Sequence, residues 1–333
     1  MDLRERLTGL DLERDELGDW PTRVEWCEPL GLWVKREDEA SPVYGGNKVR
    51  KLQYLLPRAR ADHGGQLLSV GAVGSNHLLA CCLHGRRFGV DTHALVIPQP
   101  VTPHVLRNAG VLAAHAASIE TADNVVIAAL WSRFVLARRV REQTGYEPMW
   151  VYAGGSNPLG TLGWVEGALE LAEQVRAGEL PEPEQIFVPM GSCGTVAGLL
   201  LGLSLTALKT QVRAVRVVDR LVCNRSAALS LARRTRLLLQ ASGARELPEV
   251  QPERLVVHHE QFGPGYGAPT PQGLEAQEQA ASVGLKLEPT YTSKALAAAL
   301  SAVAEGRTVL FVDTVNSREL PPGGDLGALQ DLL

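Results

Sequence analysis

Short apolar runs that each give way to a longer stretch of helical spacing constrain this chain more than any other feature of its sequence. The run 66–71 precedes a helical pattern over 76–88, the run 92–97 precedes 103–109, and the run 185–190 precedes 195–208. Runs this short, without strict alternation, suit strands buried on both faces, and the intervening helices supply the cover. That is the βαβ unit of a parallel sheet. Further strands are expected over 150–153, 212–218, 255–258 and 308–313, and further helices over 124–144, 160–177, 226–242 and 271–283. No internal repeat interrupts the pattern. At 333 residues the chain exceeds the usual single-domain size, so two lobes with a cleft between them are expected. Proline clusters at 98–103, 181–183 and 264–271 mark loops, and the acidic middle one is the expected crossing between lobes.

Composition narrows the function. Hydrophobic residues at 45%, charged residues at 21% and a net charge of −4 describe an ordinary globular chain with no global basic field, which argues against nucleic acid. The opening Met1-Asp2-Leu3-Arg4-Glu5-Arg6 is charged and lacks a signal-peptide core, and no window approaches an unbroken apolar membrane span. A cytoplasmic location without membrane partners is expected. Five cysteines (Cys27, Cys81, Cys82, Cys193, Cys223) have no CxxC spacing and are expected as buried small hydrophobes. His258-His259 offers no third metal ligand at helical spacing.

One lysine stands where a glycine turn meets a helix. In Gly45-Gly46-Asn47-Lys48-Val49-Arg50-Lys51-Leu52 the glycines permit positive φ and close approach to a ligand, and Val49, Leu52, Leu55 and Leu56 recur at helical spacing. An ammonium at a helix start is disfavoured by the helix dipole, so Lys48 is a candidate amine nucleophile of lowered pKa, the kind Schiff-base chemistry requires. Taken alone the octapeptide reads first as an exposed basic turn, since surface lysines are the rule.

Ligands of open α/β sheets bind beyond the carboxyl ends of strands, so the loops there carry the next candidates. Gly71-Ala72-Val73-Gly74-Ser75-Asn76-His77 offers a hydroxyl, an amide and free N–H groups suited to a carboxylate, or a simple N-cap by Ser75 or Asn76. Gly191-Ser192-Cys193-Gly194-Thr195 offers backbone amides for a phosphate, or a ligand-free turn, and matches neither GxGxxG nor GxxxxGK[ST]. Pro289-Thr290-Tyr291-Thr292-Ser293-Lys294 and Val312-Asp313-Thr314 offer an aromatic ring and hydroxyls, or core and cap residues. A GxSxG elbow is absent, since Met190 and Pro158 stand where glycine is required, and the hydrolase reading is weak.

Together the segments Val34-Lys35-Arg36-Glu37-Asp38, GGNKVRKL, Ser75-Asn76-His77, Gly154-Gly155-Ser156-Asn157-Pro158-Leu159-Gly160, GSCGT, Gly265-Tyr266-Gly267-Ala268-Pro269-Thr270-Pro271 and YTSK give the chain a resemblance across most of its length. It resembles the fold type II pyridoxal-phosphate enzymes, and within them the D-cysteine desulfhydrase and 1-aminocyclopropane-1-carboxylate (ACC) deaminase family. The resemblance implies a two-lobed α/β fold, each lobe an open, mostly parallel sheet flanked by helices. Residues 1–55 and 161–333 would form the larger cofactor-binding lobe and 56–160 the smaller. It implies pyridoxal 5'-phosphate linked to Lys48, flanked by Asn47, bonded at its ring hydroxyl by Asn76, held at its phosphate by Gly191, Ser192, Cys193, Gly194 and Thr195, and met at its pyridine nitrogen by Thr314. Ser75 with the amides of Asn76 and His77 would receive the substrate carboxylate, with Tyr266 and Tyr291 on the substrate face. Lys48, Ser75, Tyr266 and Tyr291 are the expected catalytic set. A homodimer is expected.

The resemblance further implies chemistry on a small amino acid: loss of the α proton to Lys48, departure of a β group, and release of a 2-oxo acid and ammonia. A thiol leaving group would make this D-cysteine desulfhydration. Ring-opening deaminases carry Glu directly after the tyrosine matching Tyr291, whereas this chain has Thr292, which favours the desulfhydrase side. ACC deamination, another pyridoxal-phosphate reaction on the same fold, and a non-catalytic amino-acid- or cofactor-binding relative are the alternatives. The family's common HTGG is replaced by Asp313-Thr314-Val315-Asn316, and its common phosphate-loop glycine by Cys193.

Overall fold

The computed structural model describes residues 10, 12–123 and 132–333. The charged opening hexapeptide and the first part of the helix expected over 124–144 lie outside the described residues. The remainder of that helix is a π-turn segment, Ser132–Leu136, running into a helix at Ala137–Thr144. No described helix is long and apolar enough to cross a membrane.

Two sheets organise the chain. Strands β1 (Val24–Cys27), β2 (Leu32–Lys35), β7 (Gln185–Met190), β8 (Gln211–Arg216), β9 (Leu255–His258) and β10 (Val309–Val312) form a six-stranded sheet in the order β1-β2-β10-β7-β8-β9. All its pairings are parallel except β1 with β2. Strands β3 (Gln66–Ala72), β4 (Asp91–Ile97), β5 (Ser118–Thr121) and β6 (Met149–Val151) form an all-parallel four-stranded sheet in the order β5-β4-β3-β6. Helices cover the sheets, as buried parallel strands require. One apolar cluster joins Ile186, Val188 and Leu310 to Leu162, Leu169, Leu199 and Leu229, and another joins Leu32, Val34 and Phe187 to Leu296 and Ala299. The smaller sheet has its own pair of clusters, around Leu67, Leu78 and Leu112 and around Leu68, Leu95 and Val140.

Strands β7 and β9 span the expected 185–190 and 255–258. Three strands and one helix were not expected: β1, β2 and β5, and the helix Thr292–Ala304. β2 escapes a hydropathy reading because Lys35 is buried in it, 1% exposed, on a carboxylate from far along the chain. The proline cluster 181–183 is not a crossing between sheets. It joins the helix Pro158–Arg176 to β7, and Leu169, Leu180 and Ile186 share one core. The crossings are the helix Lys48–His63, which leads into β3, and the turn after β6, which leads into the helix Pro158–Arg176.

Those two crossing helices fix the geometry between the sheets. A Cβ on Gly163 would lie 1.9 Å from the Arg50 carbonyl oxygen, so only glycine permits this approach. Trp164, fully buried, donates its Nε1–H to the Asn47 carbonyl at 3.0 Å. Pro57 inside helix 48–63 has no N–H for the Gln53 carbonyl, and the Asp15 N–H takes that acceptor at 2.9 Å.

Candidate active site

Loops after β3, β6, β7 and β10 meet the start of helix 48–63. Lys48 is its first residue, and its Nζ donates to Asn47 Oδ1 at 2.8 Å. Asn47 is the junction of the site. Its Nδ2 donates to Thr195 Oγ1 at 3.0 Å and its backbone N–H donates to the Thr314 carbonyl at 3.1 Å. The Gly45 N–H donates to Asn316 Oδ1 at 2.6 Å, so the segment that departs from HTGG still braces the lysine turn. A Cβ on Gly46, at φ +91°, would meet the Thr314 carbonyl at 2.7 Å.

Lys48 is only partly exposed, and burial pulls its pKa from 10.5 to about 8, with Glu288 and Cys81 opposing. Desolvation therefore leads where the sequence alone pointed to the helix dipole. Lys51, one helical turn on, is 1% exposed and is depressed well below its ordinary value by burial and by Lys48. Its Nζ donates to the Gly154 carbonyl at 2.9 Å and to Ser156 Oγ at 3.0 Å. Ser156 Oγ also meets Ser192 Oγ at 2.7 Å and accepts from the Gly194 N–H at 3.1 Å.

Around Gly194 the chain forms an anion cradle: the Lys51 amino group, the Ser156 and Ser192 hydroxyls, and the opening amides of the helix Gly194–Ser204. A Cβ on Gly194 would stand 2.3 Å from Ser156 Oγ and 2.7 Å from Lys51 Nζ, and one on Gly154 would stand 2.2 Å from Ser192 Oγ. These residues fit a phosphate ester. Thr195 closes the same loop through Asn47, and Cys193 turns it at φ +66°.

On the opposite wall, Ser75 caps the helix Asn76–Arg87 by accepting from the Leu78 N–H at 3.3 Å. Asn76 Oδ1 accepts from Tyr44 Oη at 3.2 Å and Asn108 Nδ2 at 2.9 Å, so its own Nδ2 is the end left for a ligand. The His77 ring is buried against Ser69 Oγ at 3.0 Å and depressed well below its ordinary pKa by burial and by Lys48 and Lys51. It offers a neutral ring to the core and only its amide to the cleft. Tyr266 and Tyr291 stand hydroxyl to hydroxyl at 2.7 Å, their rings edge to face at 6.1 Å. Burial raises both phenols, Tyr266 to about 12. A Cβ on Gly191 would touch Tyr291 at 3.2 Å, which sets the tyrosine pair against the cradle loop.

Sequence reasoning missed Lys51, Ser156 and Glu288 as site residues. Lys51 was legible, because i and i+3 share a helix face. Glu288 was not, since its role depends on the unexpected helix Thr292–Ala304. Its carboxylate accepts from the backbone N–H groups of Thr290, Tyr291 and Thr292 at 2.8, 2.8 and 2.9 Å. Anchored at a helix start, it acts electrostatically on Lys48, Tyr44, Tyr266 and Tyr291.

A largely buried amine of lowered pKa beside an anion cradle, between two mostly parallel sheets, fits a pyridoxal-phosphate site. Residues 16–314 match the family described as pyridoxal-phosphate dependent enzyme, and the chain belongs to it, within fold type II and the D-cysteine desulfhydrase and ACC deaminase group. The chain is 34% identical over 305 residues to nocardicin C-9' epimerase from Nocardia uniformis subsp. tsuyamanensis, covering 90% of this chain and 91% of that protein. It is 31% identical over 318 residues to D-cysteine desulfhydrase from Klebsiella pneumoniae (strain 342), covering 90% and 93%. A solved structure described as an ACC deaminase homologue superposes with a TM-score of 0.76 at 25% identity, covering 92% of each chain. The cofactor is pyridoxal 5'-phosphate.

Proposed function

We propose that this chain is a carbon–sulfur lyase that eliminates sulfide from D-cysteine, the remaining enamine taking up one water to give pyruvate and ammonia. One observation carries the choice of elimination over ring opening. The position after Tyr291 holds Thr292, whose N–H and hydroxyl both turn to Glu288, and that carboxylate is already engaged by three backbone amides. No free carboxylic acid stands there to protonate a ring carbon. The Klebsiella desulfhydrase relative supports the same choice.

Each residue then has a task. Lys48 holds the cofactor and, once released, accepts the substrate's α proton on Nζ, which is neutral above pH about 8. Lys51, Ser156, Ser192, Cys193 and the amides of Gly191, Gly194 and Thr195 would hold the phosphate, with Asn47 tying that loop to the lysine turn. Asn76 Nδ2 would be the donor for the ring hydroxyl, and the Thr314 hydroxyl would be the partner for the pyridine nitrogen. Ser75 and the amides of Asn76 and His77 take the carboxylate, the natural guest of a helix start. The Tyr266–Tyr291 pair, kept protonated by burial, shuttles a proton to the leaving sulfur. Pyridoxal phosphate, when bound, accepts the electron pair left as the α C–H bond breaks. Residues 56–160 form a smaller lobe against 1–55 and 161–333, and two copies associate as a dimer.

The epimerase relative favours a second reading, in which the tyrosine pair returns a proton to the opposite face of the α carbon. Incubation with D-cysteine, followed by sulfide and pyruvate assays and chiral analysis, separates the two. Sulfide and pyruvate in equal amounts support elimination. An inverted amino acid without sulfide overturns it in favour of epimerisation.

A further inference from the structure

The side-chain amide of Asn76 is held in one orientation by a chain of hydrogen bonds that starts at a backbone carbonyl. Asn108, on the helix Pro103–His115, is 1% exposed and brings its side-chain NH2 to three acceptors. These are the Gly74 carbonyl at 2.9 Å, Asn76 Oδ1 at 2.9 Å and His104 Nε2 at 3.1 Å. A carbonyl can only accept, so the end of Asn108 that faces Gly74 must be its NH2. The same NH2 faces Asn76, which must therefore turn its oxygen toward Asn108 and its own NH2 away. Tyr44 Oη donates to that oxygen as well, at 3.2 Å, and burial raises the pKa of this phenol and keeps it protonated. His104 must meet the Asn108 donor with a lone pair. Burial lowers the pKa of its ring, against Glu288 and with Arg107, which favours that neutral form.

The fit of helix 103–115 against the loop is close. A Cβ on Gly74 would stand 2.8 Å from Val105 Cγ2 and 3.0 Å from Val105 Cα, so glycine lets the helix come near enough for Asn108 to reach the loop. Val105, Ala109 and Leu112 anchor the helix in the core around Leu67 and Leu78. The Gly324 N–H donates to the Gly110 carbonyl at 2.8 Å and joins the C-terminal segment to the same helix. Asn108 is thus fixed by its own backbone before it fixes anything else.

We propose that Asn108 is a positioning residue that dictates which end of the Asn76 amide faces the cofactor. The inference rests on the reading of Asn76 as the partner of the cofactor's ring hydroxyl. Polarity is what the relay transmits. An N–H aimed at the ring oxygen stabilises the anionic form of that oxygen, whereas an amide oxygen aimed there would favour its protonated form. A rotated Asn76 would fill the same space and present the wrong group.

The test follows the visible absorbance of the holoenzyme against pH, alongside the dissociation constant for pyridoxal phosphate and the urea midpoint of the cofactor-free chain. A donor on the ring oxygen competes with the proton that this oxygen shares with the Lys48 nitrogen, so losing the donor moves the titration of the band upward. Asn76→Ala should raise it by about one to two pH units, the scale of a hydrogen bond to a charged group. Asn108→Leu should raise it by about half a unit or more and weaken cofactor binding about tenfold, because Asn76 is then free to rotate. Asn108→Asp reverses the relay: its carboxylate accepts from Asn76 and turns the Asn76 oxygen toward the ring, so the rise should exceed that in Asn76→Ala. Should Asn108→Asp fail to fold, Asn108→Leu decides by itself. A titration that moves in Asn76→Ala but in neither Asn108 variant would overturn the proposal alone, even with a lower urea midpoint, since a merely structural Asn108 gives that result. A titration unmoved in Asn76→Ala would overturn the proposal together with the reading of Asn76 beneath it.

Discussion

The helix Lys48–His63 sends buried cations to two different fates. Arg50, 1% exposed, meets Glu37 through Nε at 2.8 Å and Nη2 at 2.7 Å, and meets Glu170 at 2.7 Å. Lys35 adds a 2.7 Å bond to the same Glu170. Burial works against these charges, but the pairing wins: Arg50 is raised, and Glu170 falls to about 2 under the pull of Arg50 and Lys35. Two residues before it and one after, Lys48 and Lys51 bond only neutral oxygens among their described hydrogen bonds, and both are depressed. A buried cation matched by carboxylates is held charged and anchors the fold. One matched only by dipoles is inclined to lose its proton or to accept an anionic ligand, and that is what the chemistry needs.

Four experiments can break this contrast. Lys48→Ala should lower turnover on the order of a thousandfold or more, since it removes both the cofactor's anchor and the α-proton acceptor. It should also abolish the visible cofactor absorbance, and a variant that keeps both would end the reading of Lys48. Glu170→Gln should cost about 3–5 kcal/mol of stability in a urea titration, because it leaves the buried Lys35 without a carboxylate and Arg50 with Glu37 alone. The folded variant should keep the cofactor band at low urea. Lys51→Met should weaken cofactor binding by roughly tenfold to a hundredfold, the range for a hydrogen bond to a charged group, while leaving the urea midpoint unchanged or higher. A stability loss as large as that of Glu170→Gln would show that Lys51 belongs with Arg50.

The smallest effect is the pH dependence of the cofactor-free chain, where both sets make stability rise with pH but in separate windows, Lys48 because a buried-charge penalty is relieved and Glu170 because an ion pair forms. Lys48 has a folded pKa near 8 against an ordinary 10.5, so between these values the folded chain binds fewer protons than the unfolded one. Stability should therefore rise with pH across that window, and Lys48→Met should flatten the rise. Glu170 is lowered from 4.5 to about 2, so its contribution is present above pH 4.5 and is lost as pH falls through 2.

Much of this was legible along the chain because parallel strands buried on both faces write themselves as apolar runs. The turn glycines at 45–46, 71–74 and 191–194 marked the loops that meet. The helix Thr292–Ala304 was hidden because its cap is not a side chain of the preceding residue. The cap is the Glu288 carboxylate, four residues upstream, and the stretch between reads as a turn. β2 was hidden by Lys35, whose charge looks exposed until Glu170, 135 residues away, is folded against it. The proline cluster 181–183 was misassigned as a crossing because prolines mark loops without saying what the loops connect.

The sequence by itself determined the βαβ order, the family and the lysine at the glycine turn, because each rests on local chemistry or on motifs contiguous in the chain. Tertiary structure decided which cations are chemical and which structural. Lys48, Arg50 and Lys51 share one helix and one local environment, and they differ only in whether a carboxylate from another part of the chain arrives to meet them.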